Sequence, residues 1–177
     1  NGYARQTTPQ LAARNDVINF KNVSSCGTAT AISVPCMFSR YTRKDYDETK
    51  ASHEDNLLNI LQRTGIEVLW RDNDAGCKGV CEQIPTQDVT SLNLANYCKN
   101  GECLDEVLLK DLESELKKSD KDTVIVLHTI GSHGPTYNES YTKEYEKYTH
   151  TCETNEIQKT SKEQLVNTYD NGNLNID

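Results

Sequence analysis

Apolar positions along this chain come in short blocks separated by polar loops, and the period within each block predicts an element. Residues 17–23, VINFKNV, form a short apolar-rich run that predicts a strand. Residues 27–34, GTATAISV, predict the opening of a helix that Pro35 stops. In SHEDNLLNILQRTG, Ser52 is the predicted N-cap, Leu57, Leu58, Ile60 and Leu61 form an apolar stripe, and Gly65 ends the helix. IEVLW, 66–70, predicts a short buried strand. LDEVLLKDLESELKK, 104–118, predicts one amphipathic helix with acids early and lysines late, as the helix dipole favours. DTVIVLHT, 122–129, is nearly all apolar and predicts a strand in a sheet covered on both faces. SKEQLVNTYDN predicts a last helix, capped by Ser161 with Glu163 close behind. The Tyr- and Thr-rich stretch 136–160 lacks a period and predicts an exposed excursion.

Strands alternating with helices of this length predict an α/β layer fold around a parallel sheet. In such sheets, sites gather beyond the carboxyl ends of the strands. Three polar loops occupy those ends: SSCGTAT, RDNDAGCKGVC and IGSHGP.

Composition narrows the function. The chain has 177 residues, enough for one domain or part of one. Apolar residues make up 35% of it, so the expected core is modest. A net charge of −8 argues against a phosphate-backbone binder, because no basic stripe is available to displace counterions. No apolar run approaches the roughly 18–20 residues of a membrane span, and the first residues do not form a signal peptide. The chain as given is therefore expected to be soluble.

The seven cysteines, Cys26, Cys36, Cys77, Cys81, Cys98, Cys103 and Cys152, fall into close pairs with one left over. Close pairs suit disulfides that staple loops in an oxidising compartment. Cys77, Cys81, Cys98 and Cys103 also suit a cytosolic four-cysteine zinc site, although their spacing departs from the usual C-x-x-C knuckle. Spacing alone leaves both readings open.

Four side chains are candidates for chemistry. Thr28 and Thr30 lie at a strand-to-helix turn, where backbone N–H groups attract anions. Either hydroxyl could serve as a nucleophile if a base or a metal ion offset its weak acidity; either could equally cap the helix. Lys78, between glycines and cysteines in GCKGVC, could hold a phosphate or simply be solvated. His133, in the loop GSHGP, is the histidine placed to meet a ligand, whereas His128 at the strand end reads as structural. His53 and His150 have no constellation around them.

Taken together, SSCGTATAISVPCMFSR, VLWRDNDAGCKGVC, NGECLDEVLL, VIVLHTIGSHGPTY and CETNEIQ followed by KEQLVNTYDN resemble the catalytic domain of bacterial phosphoethanolamine transferases. The resemblance runs from Asn1 to about Asn171. It implies a layered α/β/α fold of the alkaline-phosphatase and sulfatase type, with a mainly parallel sheet that is incomplete here. The implied location is the periplasm, at the face of an inner membrane to which preceding helices tether the domain. Thr30 is the implied nucleophile: it takes phosphoethanolamine from phosphatidylethanolamine as a phosphothreonine ester and passes it to lipid A. A zinc ion bound to the Thr30 oxygen is the implied cofactor, Lys78 and His133 match substrate-site positions, and the complete protein is expected to be a monomer conferring polymyxin resistance. The implied disulfides are Cys26–Cys36, which would pin the Thr30 turn, Cys77–Cys81 and Cys98–Cys103.

Departures from the pattern carry their own expectations. The family places a Gly-Glu motif shortly before the position of Asn1, and a Ser-Asp-His-Gly-Glu segment and a further histidine well after NTYDN, to supply the other metal groups; the chain begins after the first and stops before the others. The chain is therefore expected to be the N-terminal part of the catalytic domain, marginally stable and inactive alone. Thr160 stands where the family places a cysteine, which leaves Cys152 unpaired. The alternatives are a phosphodiesterase or other hydrolase of the same superfamily, or a disulfide-rich binding module without chemistry.

Overall fold

The computed structural model describes residues 3–177; Asn1 and Gly2, where the family resemblance begins, lie outside the described residues. The chain divides into two compact units. One comprises residues 22–92 and 108–129, the other residues 3–21, 93–107 and 130–177.

In chain order the elements of the first unit are α2 (Thr30–Phe38), α3 (Glu48–Ser52), α4 (Leu57–Arg63), β1 (Glu67–Asp72), β2 (Thr86–Asp88), α5 (Leu112–Leu116) and β5 (Thr123–His128). Its sheet has the order β2–β1–β5, with both pairings parallel. β1 is the central strand, and Asp72 stands opposite His128 at its carboxyl end.

Alternation along β1 decides what each face does. Val68 and Trp70 enter a core with Leu58, Val80, Cys81 and Ile84, against which Val34 and Phe38 of α2 and Leu61 of α4 pack. Trp70 is 1% exposed, and its indole meets the Phe38 ring edge-on at 5.9 Å. Truncating such a side chain to alanine typically costs about 3–5 kcal/mol. The opposite face carries Arg71, 3% exposed, whose Nη2 donates to the Lys110 carbonyl at 2.9 Å.

Several expected boundaries moved for identifiable reasons. Residues 17–23 form no strand, and Ile18 and Phe20 stand about three-quarters exposed at 79% and 74%: an apolar run makes a strand only where a neighbouring ladder exists. Pro35 does not stop α2 but lies inside it. The helix expected from Ser52 starts at Leu57, because Asn56 makes the capping box, accepting from Leu58 N and Asn59 N while the Asn59 side chain accepts from Asn56 N. Ser52 instead ends α3. Gly65 closes α4 as expected: at φ +93° it allows Ile66 N to reach Leu61 O and Gly65 N to reach Gln62 O, which satisfies two terminal carbonyls. The single helix over 104–118 is split into a 3₁₀ segment, Asp105–Leu109, and the short α5, with Asp111 at φ +55° between them. β5 forms where predicted but is half-buried along its whole length, as befits a strand at one end of the sheet order rather than one covered on both faces.

The second unit contains α1 (Pro9–Ala13), a hairpin of β3 (Cys98–Lys99) and β4 (Glu102–Cys103), and α6 (Lys162–Ile176). Asn100 and Gly101, both at positive φ, make the two-residue turn that suits a tight hairpin. α6 starts at Ser161, whose hydroxyl accepts from Gln164 N; the box partner is Gln164 rather than Glu163. Its buried face is polar, with Asn167, Thr168, Asp170 and Asn171 all nearly inaccessible. The reason lies in the irregular stretch beside it, whose backbone groups need partners. Asn171 exchanges two 2.9 Å hydrogen bonds with the Tyr148 backbone, Asn167 donates to Thr149 O, and Thr168 accepts from Cys152 N. Asp170 accepts from Tyr3 and pairs with Arg5 at 2.9 Å. The stretch 136–160, expected as an exposed excursion, is irregular with three 3₁₀ turns but is part-buried over much of its length, with Cys152 buried.

Candidate functional site

Thr30 is the first residue of α2, half-buried, on a turn fixed from both sides. Upstream, Ser25 Oγ bonds Gly27 O at 2.6 Å; across the helix, Cys26 is bridged to Cys36, the single fully buried residue of α2. Gly27 suits the tight packing of this turn: a Cβ there would stand 3.0 Å from Ile32 Cγ2, so the Ile32 side chain would have to give. The residue before the helix is Ala29, which has no side chain with which to cap the helix N–H groups. The helix therefore opens with uncapped donors beside the Thr30 hydroxyl, an arrangement that favours an anion there. Thr28 is exposed and belongs to the turn rather than to the helix.

Lys78 lies in the same unit, on the turn that follows β1. Gly76, Lys78 and Gly79 all have φ between +53° and +88°, and the Cys77–Cys81 bridge closes this left-handed turn. The Lys78 ammonium donates to Ala75 O at 2.6 Å. Ala31, adjacent to Thr30, and Lys78 both line one cavity of about 280 Å³. Thr30 itself is not among the lining residues, so of the three sequence-predicted residues only Lys78 lines this cavity.

His133 belongs to the other unit and is exposed, its Nδ1 2.9 Å from Gly134 O. Its loop is held by Asp105, whose carboxylate accepts from Ile130 N at 2.9 Å and Gly131 N at 2.8 Å. His53 is exposed and bonded to its own helix at Thr49 O, and His150 is exposed at a positive-φ position.

Sequence reasoning missed the Asp72–His128 pair. Asp72 is buried and collects Trp70 Nε1 at 2.7 Å, Asp74 N at 2.8 Å, Gly76 N at 3.3 Å and His128 Nδ1 at 3.2 Å. Burial pushes its carboxyl pKa up, but the Trp70 indole, His128 and the Asp74 amide together outweigh that and hold it below the usual carboxylate range. His128 Nε2 lies 3.8 Å from Asp74 Oδ2, so the ring stands between two carboxylates. The available signal was that an acid and a histidine each end a strong strand, at the edge where α/β sheets place their sites.

The cysteines resolve into Cys26–Cys36, Cys77–Cys81 and Cys98–Cys103, so the four-cysteine zinc alternative is overturned: each of its two halves is closed as a disulfide. Cys152 is free and buried. Among the described residues no group of three His, Cys, Asp or Glu is gathered to hold a metal ion. Thr30 is the one zinc ligand expected from this chain, and a lone hydroxyl is not a zinc donor set; the residues present do not fit the ion by themselves. No helix among the described residues is long and apolar enough to cross a membrane.

Comparison with known proteins places this geometry in context. The sulfatase family model matches residues 1–177. The chain is 57% identical to phosphoethanolamine transferase EptA of Escherichia coli K12 over all of its length, which is 32% of that relative. It is 41% identical to phosphatidylethanolamine transferase Mcr-2 of Escherichia coli, of which it covers 34%. The solved soluble domain of lipooligosaccharide phosphoethanolamine transferase A from Neisseria meningitidis superimposes with a TM-score of 0.93 at 62% identity, covering 99% of this chain and 53% of that one. The chain thus spans about a third of the length of the curated relatives it matches and about half of that solved domain.

Proposed function

The chain belongs to the sulfatase family, and from that premise we propose that it is the N-terminal part of the catalytic domain of a phosphoethanolamine transferase. Thr30 is the nucleophile, phosphatidylethanolamine the donor and lipid A the acceptor. The names of the relatives support the reaction class, and the observation that carries the assignment is the position of Thr30. It is a hydroxyl at the first residue of an uncapped helix, on a turn pinned by Cys26–Cys36.

In the first step the Thr30 oxygen attacks phosphorus. The bond to the diacylglycerol oxygen breaks, that oxygen takes a proton, and a phosphothreonine ester of ethanolamine remains. In the second step an acceptor phosphate oxygen attacks the same phosphorus and Thr30 is released as the free hydroxyl. The uncapped N–H groups of α2 and the Lys78 ammonium would meet the phosphoryl oxygens in both steps. His133 is assigned to the same substrate. Zinc is assigned to the complete domain, with Thr30 as one ligand; when bound it would lower the pKa of the hydroxyl. A threonine at this position disfavours the sulfate-ester branch of the family, whose nucleophile is a cysteine or serine.

Three disulfides suit an oxidising compartment, which supports a periplasmic domain at the inner membrane. Polymyxin resistance would follow from masking lipid A phosphates with a cationic group. The decisive experiment is mass mapping of a phosphoethanolamine adduct in the complete enzyme. A mass increase confined to the Thr30 peptide and abolished by Thr30→Ala is expected. A Thr30→Ala enzyme that still modifies lipid A would overturn the assignment.

A further inference from the structure

The carboxylate of Asp72 receives four donors, and they arrive from two directions. Its Oδ2 takes the Trp70 indole N–H at 2.7 Å and His128 Nδ1 at 3.2 Å. Its Oδ1 takes the backbone N–H groups of Asp74 at 2.8 Å and Gly76 at 3.3 Å. One oxygen is thus tied to the end of the sheet and the other to the turn that carries Lys78. An ionised carboxylate only accepts, so this network assigns the His128 proton to Nδ1. An amide in its place would turn an NH₂ group towards one of the two pairs of donors.

The bond to Gly76 reaches Lys78 through one rigid unit. The Ala75–Gly76 peptide is trans, so its N–H and C=O point to opposite sides within one plane. Asp72 holds the N–H, and the Ala75 carbonyl on the other side accepts from the Lys78 ammonium at 2.6 Å. Turning the carboxylate would turn that plane, and with it the oxygen that the ammonium meets. The His128 ring also spans both ends of the arrangement. Its Nε2 lies 3.8 Å from Asp74 Oδ2, and its centroid stands 5.1 Å from that of Trp70. Beyond Lys78 the turn is closed by Cys77–Cys81 and by Val80 N on Cys77 O at 3.1 Å. Lys78 itself is at φ +53°, a conformation that a non-glycine residue keeps only where its surroundings impose it.

We propose that Asp72 and His128 are positioning residues, which together orient the Ala75–Gly76 peptide and so place the Lys78 ammonium. His128 acts through Asp72, and Asp72 acts through the backbone; neither is assigned a contact with substrate. A purely structural role would be met by the bonds to Trp70 and His128 at the end of the sheet. The two bonds to the turn are what such a role leaves without a use. That Lys78 meets a phosphoryl group rests on the proposed function; that the pair places Lys78 rests on the hydrogen bonds alone.

The test separates the hydrogen bond of His128 from its packing. His128→Phe keeps a ring against Trp70 but removes the donor, whereas His128→Asn keeps an N–H on the same γ carbon and loses the ring. Two readouts are taken in the complete enzyme. One is KM and kcat for phosphatidylethanolamine; the other is the rate at which acetic anhydride labels Lys78, mapped by mass spectrometry with Lys118 as internal reference. His128→Phe is expected to raise KM about tenfold, the scale of one charge-assisted contact. With kcat little changed, that is the pattern of a contact shared by ground and transition states. Lys78 should be labelled several-fold faster, and His128→Asn should recover most of both effects. In a Lys78→Met background, His128→Phe should leave KM where it is, because the ammonium it acts through is gone. His128→Leu, which also lacks the donor, replaces His128→Phe if that variant labels Lys118 faster as well. Parent behaviour in His128→Phe, a greater loss in His128→Asn than in His128→Phe, or full additivity with Lys78→Met would overturn the proposal. If Lys78→Met by itself leaves KM unchanged, the substrate role of Lys78 fails, and the labelling rates of the histidine variants alone decide the positioning.

Discussion

Cys152 Sγ lies 3.0 Å from Thr160 Oγ1, with the sulfur also 3.0 Å from Thr154 O. The position where the family resemblance expects a cysteine therefore already meets the thiol. Thr160→Cys is expected to close a fourth disulfide and to stabilise the fold by about 2–3 kcal/mol, the chain-entropy value for so short a loop. Alkylation without reduction checks it: the parent chain should take up one label on denaturation and the variant none.

The carboxylate of Asp72 should shape the acid limb of stability. Its folded pKa is depressed, so its contribution is fully present above the unfolded value of about 3.9 and is lost as pH falls through the lower folded value. Asp72→Asn is expected to be less stable than the parent near neutrality, by about 2 kcal/mol for a buried charged acceptor. Urea titrations at steps from pH 7 to pH 3 should show the gap narrowing only below about pH 4. A gap that stays constant over that range would contradict the direction of the shift.

Gly172 of α6 is an approach point rather than a hinge. A Cβ there would stand 2.1 Å from Ser132 Oγ and 2.6 Å from Ser140 Oγ. Gly172→Ala is expected to lower stability by about 1–3 kcal/mol through overpacking, read as a reduced urea midpoint with an unchanged slope. Combining it with Ser132→Gly should return part of the loss.

Arg5 is one-third exposed and Asp170 fully buried, so the two ends of their ion pair are not equivalent. Among the described residues, Arg5→Ala leaves a buried carboxylate with Tyr3 as its remaining side-chain donor and is expected to cost about 2 kcal/mol. Replacing Tyr3 by Phe in addition should cost more than the sum of the two single changes, a coupling that a double-mutant cycle measures.

Strong, locally encoded features were legible in the sequence. β1, β5 and α6 form where their apolar runs and caps predict, because a strand of a parallel sheet or a helix with a capping box states itself in consecutive residues. The Thr30 turn was legible only in part: the helix opens at Thr30 as the run between Cys26 and Cys36 suggests, but the strand expected before the turn is absent. What failed depends on partners remote in sequence. VINFKNV has the composition of a strand but no ladder to join. The 104–118 pattern is helical throughout, yet Asp111 turns left-handed within it. The polar inner face of α6 could be read only once the backbone it serves was in place, and the Asp72–His128 pair exists only because two parallel strands lie in register.

The position of β5 has a consequence for handling the protein. Among the described residues TVIVLH is bonded along one flank only, by β1. Its sequence combines β-branched side chains with no charge until His128, the composition that recruits a further copy edge-to-edge. None of the three disulfides involves a residue of β5, so oxidation does nothing to shield that flank. Colloidal stability should therefore be the first property to deteriorate on concentration, with turbidity rising at protein levels where the circular dichroism of a dilute sample is unchanged. A lysine on that strand, as in Ile125→Lys, would slow the growth of aggregates even though it weakens the sheet it sits in.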